Sequence, residues 1–127
     1  MKVQELNVYV VAKHQGKILL TKRSEGWWEF PGGSVDWGED PIKAAEREFK
    51  EETNLVVKNL KFVGVTSATY QKGEDEKHSV YIVYSGETDS DKFILSSEHA
   101  EGRWLMLSEA KYMKFGLNAE SVLEMIE

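Results

Sequence analysis

Apolar, β-branched and aromatic residues dominate the first part of the chain. Residues 6–12 and 17–21 read as two strands, with His14-Gln15-Gly16 between them as a hairpin turn. Residues 27–30 form a short aromatic stretch that Pro31-Gly32-Gly33 stops. Asp40-Pro41 then supplies an N-cap and a proline at the first helical position, where the missing N–H costs nothing. From there Ile42, Ala45 and Phe49 recur at helical spacing, which predicts a helix with one stripe facing a core. It should end near Thr53-Asn54, because asparagine tolerates the left-handed conformation of a C-terminal cap.

Further along, residues 56–70 have a strand-like bias, residues 72–77 form a charged turn, and residues 79–84 a second strand. Residues 93–95 and 104–107 predict two shorter strands. Ser108 is placed to cap a short helix, and Asn118 a final helix whose Val122, Leu123 and Ile126 face inward. Strands interrupted by one central helix and closed by a terminal one predict an α/β protein, a mixed sheet with helices on both faces. Neither a repeat nor a linker divides residues 1–127, so one domain is expected.

Composition narrows the function. Sixteen Lys and Arg against twenty-two Asp and Glu give a net charge of −6, which argues against a nucleic-acid partner gripped by bulk electrostatics. The absence of cysteine removes disulfides, thiol nucleophiles and Cys-ligated metals. No apolar run approaches the roughly 18–20 residues needed to span a bilayer. The first residues turn charged too soon for a secretory signal, so the expected setting is cytoplasmic, with no membrane partner.

The acidity is local. Residues 33–55 hold seven acids against three bases, a net −4, while the rest of the chain balances fifteen against thirteen. On the expected helix Glu48 and Glu52 are i,i+4 neighbours and Glu51 lies three residues from Glu48, so all three project from one side. Clustered carboxylates repel unless a cation sits among them. Hard oxygen donors without Cys or His suit Mg²⁺ or Mn²⁺, and magnesium takes its remaining ligands from water and substrate phosphates. Phosphate chemistry follows, against the plainer reading of a solvated acidic helix face.

The spacing decides between these. Gly33, five residues, Glu39, seven residues, then Arg47-Glu48-Phe49-Lys50-Glu51-Glu52-Thr53-Asn54-Leu55 resembles the Nudix box, G-x5-E-x7-R-E-U-x-E-E-x-G-U, with U apolar. Only Asn54 departs, standing where the pattern has glycine; asparagine is the next-best residue where φ must be positive. Trp28-Glu29-Phe30-Pro31-Gly32-Gly33 is similar to the lead-in of MutT-type members, and Arg103-Trp104-Leu105 followed by Ser108-Glu109-Ala110 is also typical. The resemblance implies the Nudix fold, an α/β/α sandwich, and hydrolysis of a nucleoside diphosphate linked to another group.

It also implies roles. Glu48, Glu51 and Glu52 would hold the metal, with the Gly32 carbonyl as a further ligand. Arg47 would orient a carboxylate through paired N–H donors, and Glu39 would serve as an outer acid. Glu98, in a loop ahead of Trp104, is the preferred loop acid for general-base work, whereas the neighbouring His99 reads as incidental. Arg23 is carried over as a phosphate contact and Asn118 as a reader of the nucleobase, although Asn118 explains itself equally well as a helix cap. Trp27, Trp28 and Tyr81 could stack a base, but aromatics in strands belong to the core by default. The leading expectation is a Mg²⁺-dependent nucleoside triphosphate pyrophosphohydrolase with a small-molecule nucleotide substrate. Alternatives are an ADP-ribose or dinucleoside polyphosphate hydrolase, an RNA-end pyrophosphohydrolase, and a non-catalytic nucleotide-binding module.

Overall fold

The centre of the sheet is β1 (Lys2–His14) in the computed structural model, which describes residues 1–116 and 118–126. Its side chains alternate between two covered faces. Val8, Val10 and Ala12 pack with Ala44, Ala45 and Phe49 of α1 (Pro41–Thr53). Tyr9 and Val11 pack on the other side with Ala119, Val122 and Leu123 of α3 (Ala119–Ile126). Burial on both faces is why this strand reads as a continuous apolar run instead of an alternation.

β2 (Lys17–Arg23) returns through a two-residue turn in which Gln15 (φ 49°) and Gly16 (φ 77°) are both left-handed, the geometry that matches strand twist. β1 and β2 pair only at Lys13–Ile18 and His14–Lys17. On the side β2 leaves, β4 (Gly32–Ser34) pairs antiparallel with residues 7–9. Along its other edge β1 runs parallel to β6 (Asp75–Glu87), which pairs antiparallel with β5 (Lys58–Lys72). β3 (Trp28–Glu29) and β7 (His99–Leu105) both pair with β2. The result is the expected mixed sheet between helices, completed by α2 (Leu107–Ala110). Among the described residues no helix is long and apolar enough to cross a membrane.

Several local expectations need correction. Pro31 does stop the aromatic stretch, β3 ending at Glu29, but the chain re-enters the sheet at once: Gly32–Ser34 form β4, so close to β1 that a Cβ on Gly32 would lie 1.9 Å from the Val8 carbonyl oxygen. The charged turn shrinks to Gly73-Glu74, and Asp75–Lys77 are the first residues of the next strand. Residues 93–95 are not a strand: the Ile94 and Ser96 N–H groups donate to the Thr53 and Glu52 carbonyls at the end of α1, at 2.9 and 3.0 Å. The next strand begins earlier than Trp104, at His99. Ser108 does not cap α2, which starts at Leu107 while the Glu109 carboxylate accepts the Met106 N–H at 2.9 Å.

Candidate active site

α1 is held at both ends by its own sequence. The Asp40 carboxylate accepts the Ile42 N–H at 2.9 Å, and Asn54 (φ 61°) closes the helix by donating its backbone N–H to Lys50. The asparagine adds what glycine lacks, an amide Nδ2 donating to the Ile94 carbonyl at 2.8 Å. With the two backbone bonds from Ile94 and Ser96, this stitches the loop carrying Glu98 to the acidic end of the helix.

Of the three helix carboxylates, Glu51 is exposed, Glu48 half-buried and Glu52 buried. Glu52 lies three residues after the fully buried Phe49, so it shares the inward side of the helix. Its Oε2 accepts the Gly32 N–H at 3.4 Å and stands 3.8 Å from His99 Nδ1. Burial pushes the Glu52 carboxyl up to about 9, with the charges of Glu29, Glu48 and Glu98 adding and the Gly32 bond opposing. Glu48 is also raised, chiefly by burial, with Arg47 opposing and Glu51 and Glu98 adding. A side chain on Gly33 would put its Cβ 2.4 Å from Glu48 Oε2, so glycine is what lets this carboxylate lie against β4.

Arg47 ties the acids together. Nε and Nη2 grip Glu39 in a two-point fork at 2.9 Å each, Nη1 donates to Glu48 at 2.9 Å and to Glu51 at 3.3 Å, and Nη2 also reaches the Ser34 carbonyl at 3.0 Å. Glu39 additionally accepts the Asp36 N–H at 3.0 Å, and Arg47 with that bond holds its carboxyl down at about 2. Glu39 is therefore the main partner of Arg47, binding the 34–39 loop to the helix.

Among the described residues no three acids or imidazoles already stand in closed metal-binding geometry. Arg47 occupies Glu48 and Glu51, while Glu52 turns toward Gly32. The donor set still fits a hard divalent cation. It is all oxygen, and its buried carboxylate lies among like charges that a bound cation would offset. Glu98 is exposed, and its charge reaches both Glu48 and Glu52.

A cleft of about 320 Å³ opens on the other side of Glu29, between Arg23, Trp27, Lys72, Tyr81 and Asn118. Arg23 Nη1 donates to Glu29 at 3.1 Å and Nε to Glu25 at 3.2 Å. Tyr81 stacks on Tyr9 with ring centroids 3.9 Å apart. Trp28 is core, with the Arg103 guanidinium 5.4 Å from its ring centroid, whereas Trp27 stays partly exposed at the cleft. The segment leading to Asn118 is fastened to β3: Trp28 N–H donates to Lys114 at 2.8 Å, Gly116 N–H to Trp28 at 3.0 Å, and Gly116 lies too close to Trp27 for any Cβ.

Asn118 is not a side-chain cap. Its φ of 71° is left-handed, where an N-cap is extended, and its carbonyl accepts the Ser121 hydroxyl. Both amide polar atoms are buried without a hydrogen-bond partner among the described residues.

His99, read as incidental, is a buried residue wedged between Glu29 and Glu52. Glu29, quoted only within the lead-in, stands at the junction of cleft and carboxylates. Spacing along the chain carries no signal for either, because each reaches the site through strand pairing with β2.

Comparison with known proteins gives the family and the fold. The chain is 47% identical over 58 residues to a putative 8-oxo-dGTP diphosphatase, YtkD, of Bacillus subtilis, covering 46% of this chain and 37% of that protein. It is 34% identical over 116 residues to the CMP-5'-(N-acetyl-N-hydroxy-3-aminopropyl)phosphonate hydrolase of Streptomyces rubellomurinus, covering 81% of this chain and 52% of the other. The chain thus spans about half or less of the length of these relatives. In fold it is similar to a MutT NUDIX hydrolase from Burkholderia pseudomallei, with a TM-score of 0.86 and 24% identity over 98% of this chain and 99% of that one. The model of the NUDIX domain matches residues 3–125, and the chain belongs to that family.

Proposed function

We propose that this chain is a Mg²⁺- or Mn²⁺-dependent pyrophosphohydrolase that converts a nucleoside triphosphate to the monophosphate and pyrophosphate. One observation carries the reading: an all-carboxylate cluster on α1 is linked through His99 and Glu29 to a cleft in which the Asn118 amide is buried with no partner among the described residues. Glu48, Glu51 and Glu52, with the Gly32 backbone, would hold the cation, which when bound neutralises the diphosphate and activates water toward phosphorus. Arg47 keeps Glu48 and Glu51 aimed from the helix while its fork on Glu39 closes the loop above them. Glu98, exposed in the loop stitched to the helix, would take the proton of the attacking water. Arg23 would lie along the phosphates, and Asn118 would pair with the base edge that satisfies its amide.

The relative named as an 8-oxo-dGTP diphosphatase makes an oxidised purine deoxynucleotide the first substrate to try. The test is a panel of dGTP, 8-oxo-dGTP, ADP-ribose, a dinucleoside tetraphosphate and 5'-triphosphorylated RNA, each with Mg²⁺, Mn²⁺ or chelator. The expected result is pyrophosphate released from a triphosphate only when the cation is present. Turnover in chelator, or faster turnover of ADP-ribose than of any triphosphate, would overturn the proposal.

A further inference from the structure

Glu29 and His99 lie outside the helix carboxylates, yet they join the cleft to Glu52. Glu29 Oε1 accepts from Arg23 Nη1 and from His99 Nε2, both at 3.1 Å, and its side chain is only 14% exposed. With Nε2 held at Glu29, the other ring nitrogen, Nδ1, faces Glu52. Nδ1 stands 3.8 Å from Glu52 Oε2 and has no hydrogen-bond partner among the described residues. The whole imidazole is 1% exposed.

The backbone is built to make this juncture. Arg23 and His99 are register partners across β2 and β7, and the ladder slips by one residue there, Lys22 facing Glu101 and Arg23 facing His99. Such a bulge re-aims side chains at the end of a strand. Burying an imidazole between two carboxylates costs desolvation that an apolar residue in the same place would avoid. A role in bare packing does not account for that cost.

We propose that Glu29 and His99 are positioning residues: Glu29 holds Arg23 and the His99 ring together, and the buried ring, packed 3.8 Å from Oε2, limits by contact how far the Glu52 carboxylate can turn from Gly32, so that cleft and cation carboxylates keep one alignment. The inference rests on the reading of Glu52 as a cation ligand and of the cleft as the nucleotide site. Nucleotide binding itself, made by groups in the cleft, is left largely intact when the brace is lost, while cation affinity and turnover are not.

The experiment measures Mn²⁺ binding to the nucleotide-free protein by electron paramagnetic resonance, kcat and KM at saturating Mg²⁺, and a thermal melt. The variants are His99→Leu, His99→Gln and Glu29→Gln. His99→Leu packs but donates nothing, whereas glutamine places an amide N–H near the Nε2 position. Losing a residue that positions a metal ligand costs about 10–100-fold, so His99→Leu should lose that much in Mn²⁺ affinity and in kcat, with KM within about threefold. His99→Gln should recover most of both. Glu29→Gln should also weaken Mn²⁺ binding, and its combination with His99→Leu should be far less than additive. A lowered melting temperature with unchanged Mn²⁺ affinity and kcat, or equal losses in the leucine and glutamine variants, overturns the proposal. Should His99→Leu fail to fold, unchanged Mn²⁺ affinity in Glu29→Gln does the same. A wild-type protein that neither binds Mn²⁺ nor hydrolyses nucleotides removes the functional reading first, and the brace with it.

Discussion

Replacing Glu52 by glutamine sets stability against function at a single atom. The side chain is 6% exposed, and burial together with neighbouring acids raises its carboxyl from 4.5 to about 9. The native state then binds this proton more tightly than the unfolded chain does. Its contribution to stability is complete below the ordinary value of 4.5 and is lost as pH rises through about 9. Each pH unit inside that window is worth about 1.4 kcal/mol. Between about pH 5 and pH 7.5 the cation-free native state therefore gives up about 3 kcal/mol. Glutamine has the same shape, can still accept the Gly32 N–H, and has no proton to lose.

In chelator, Glu52→Gln should accordingly be more stable than the wild type by about 3 kcal/mol at about pH 7.5, with the gap nearly closed at about pH 5. For a domain of this size that is about 10 °C in melting temperature. Urea and thermal melts of both proteins across this range provide the measurement, and taking the difference between them cancels the titrating groups that do not interact with Glu52. Added Mg²⁺ should stabilise the wild type and leave the variant unchanged, while the variant's turnover falls by orders of magnitude. A variant less stable than wild type at about pH 7.5 in chelator, or a gap of the same size at both ends of the range, would refute the reasoning.

Asn118→Gly keeps the left-handed backbone that alanine would strain and removes an amide with no partner in the described chain, so melting should move little while selectivity among nucleotides collapses; kinetics on a preferred and a poor nucleotide check it. Arg47→Lys loses the fork on Glu39 and should lower turnover about 10–100-fold at saturating cation, read by steady-state kinetics. Arg47→Ala should return the Glu39 carboxyl from about 2 toward its ordinary value, followed by carbon-detected NMR titration. Because that depressed group supports the fold above 4.5 and stops doing so as pH falls through about 2, the wild type should keep its 34–39 loop in acid longer than Arg47→Ala.

How much of this was legible depended on whether the signal was local. Asp40-Pro41 and Thr53-Asn54 mark both ends of α1 because caps act within one helical turn, and the observed helix runs Pro41–Thr53. The spacing of Glu48, Glu51 and Glu52 needed only the helical period. Residues 93–95 misled because an apolar run carries no label for its hydrogen-bond partners, and here those partners are helix carbonyls. Pro31-Gly32-Gly33 marks the end of β3, but nothing local shows that its glycines open β4, where another backbone approaches closely.

By itself, then, the sequence determined the class of the fold, the central helix and the family, since each depends on periodicity, capping or the spacing of a short motif. Tertiary structure alone decided which carboxylate is buried, which partner Arg47 grips hardest, that the Asn118 amide caps nothing and has no partner among the described residues, and that His99 lies between Glu29 and Glu52. Those properties belong to pairs of residues up to 70 positions apart, brought together by strand pairing and a one-residue slip in a ladder. Burial, charge and hydrogen bonding depend on distance in space, and chain separation places no tight limit on that distance once a sheet has formed.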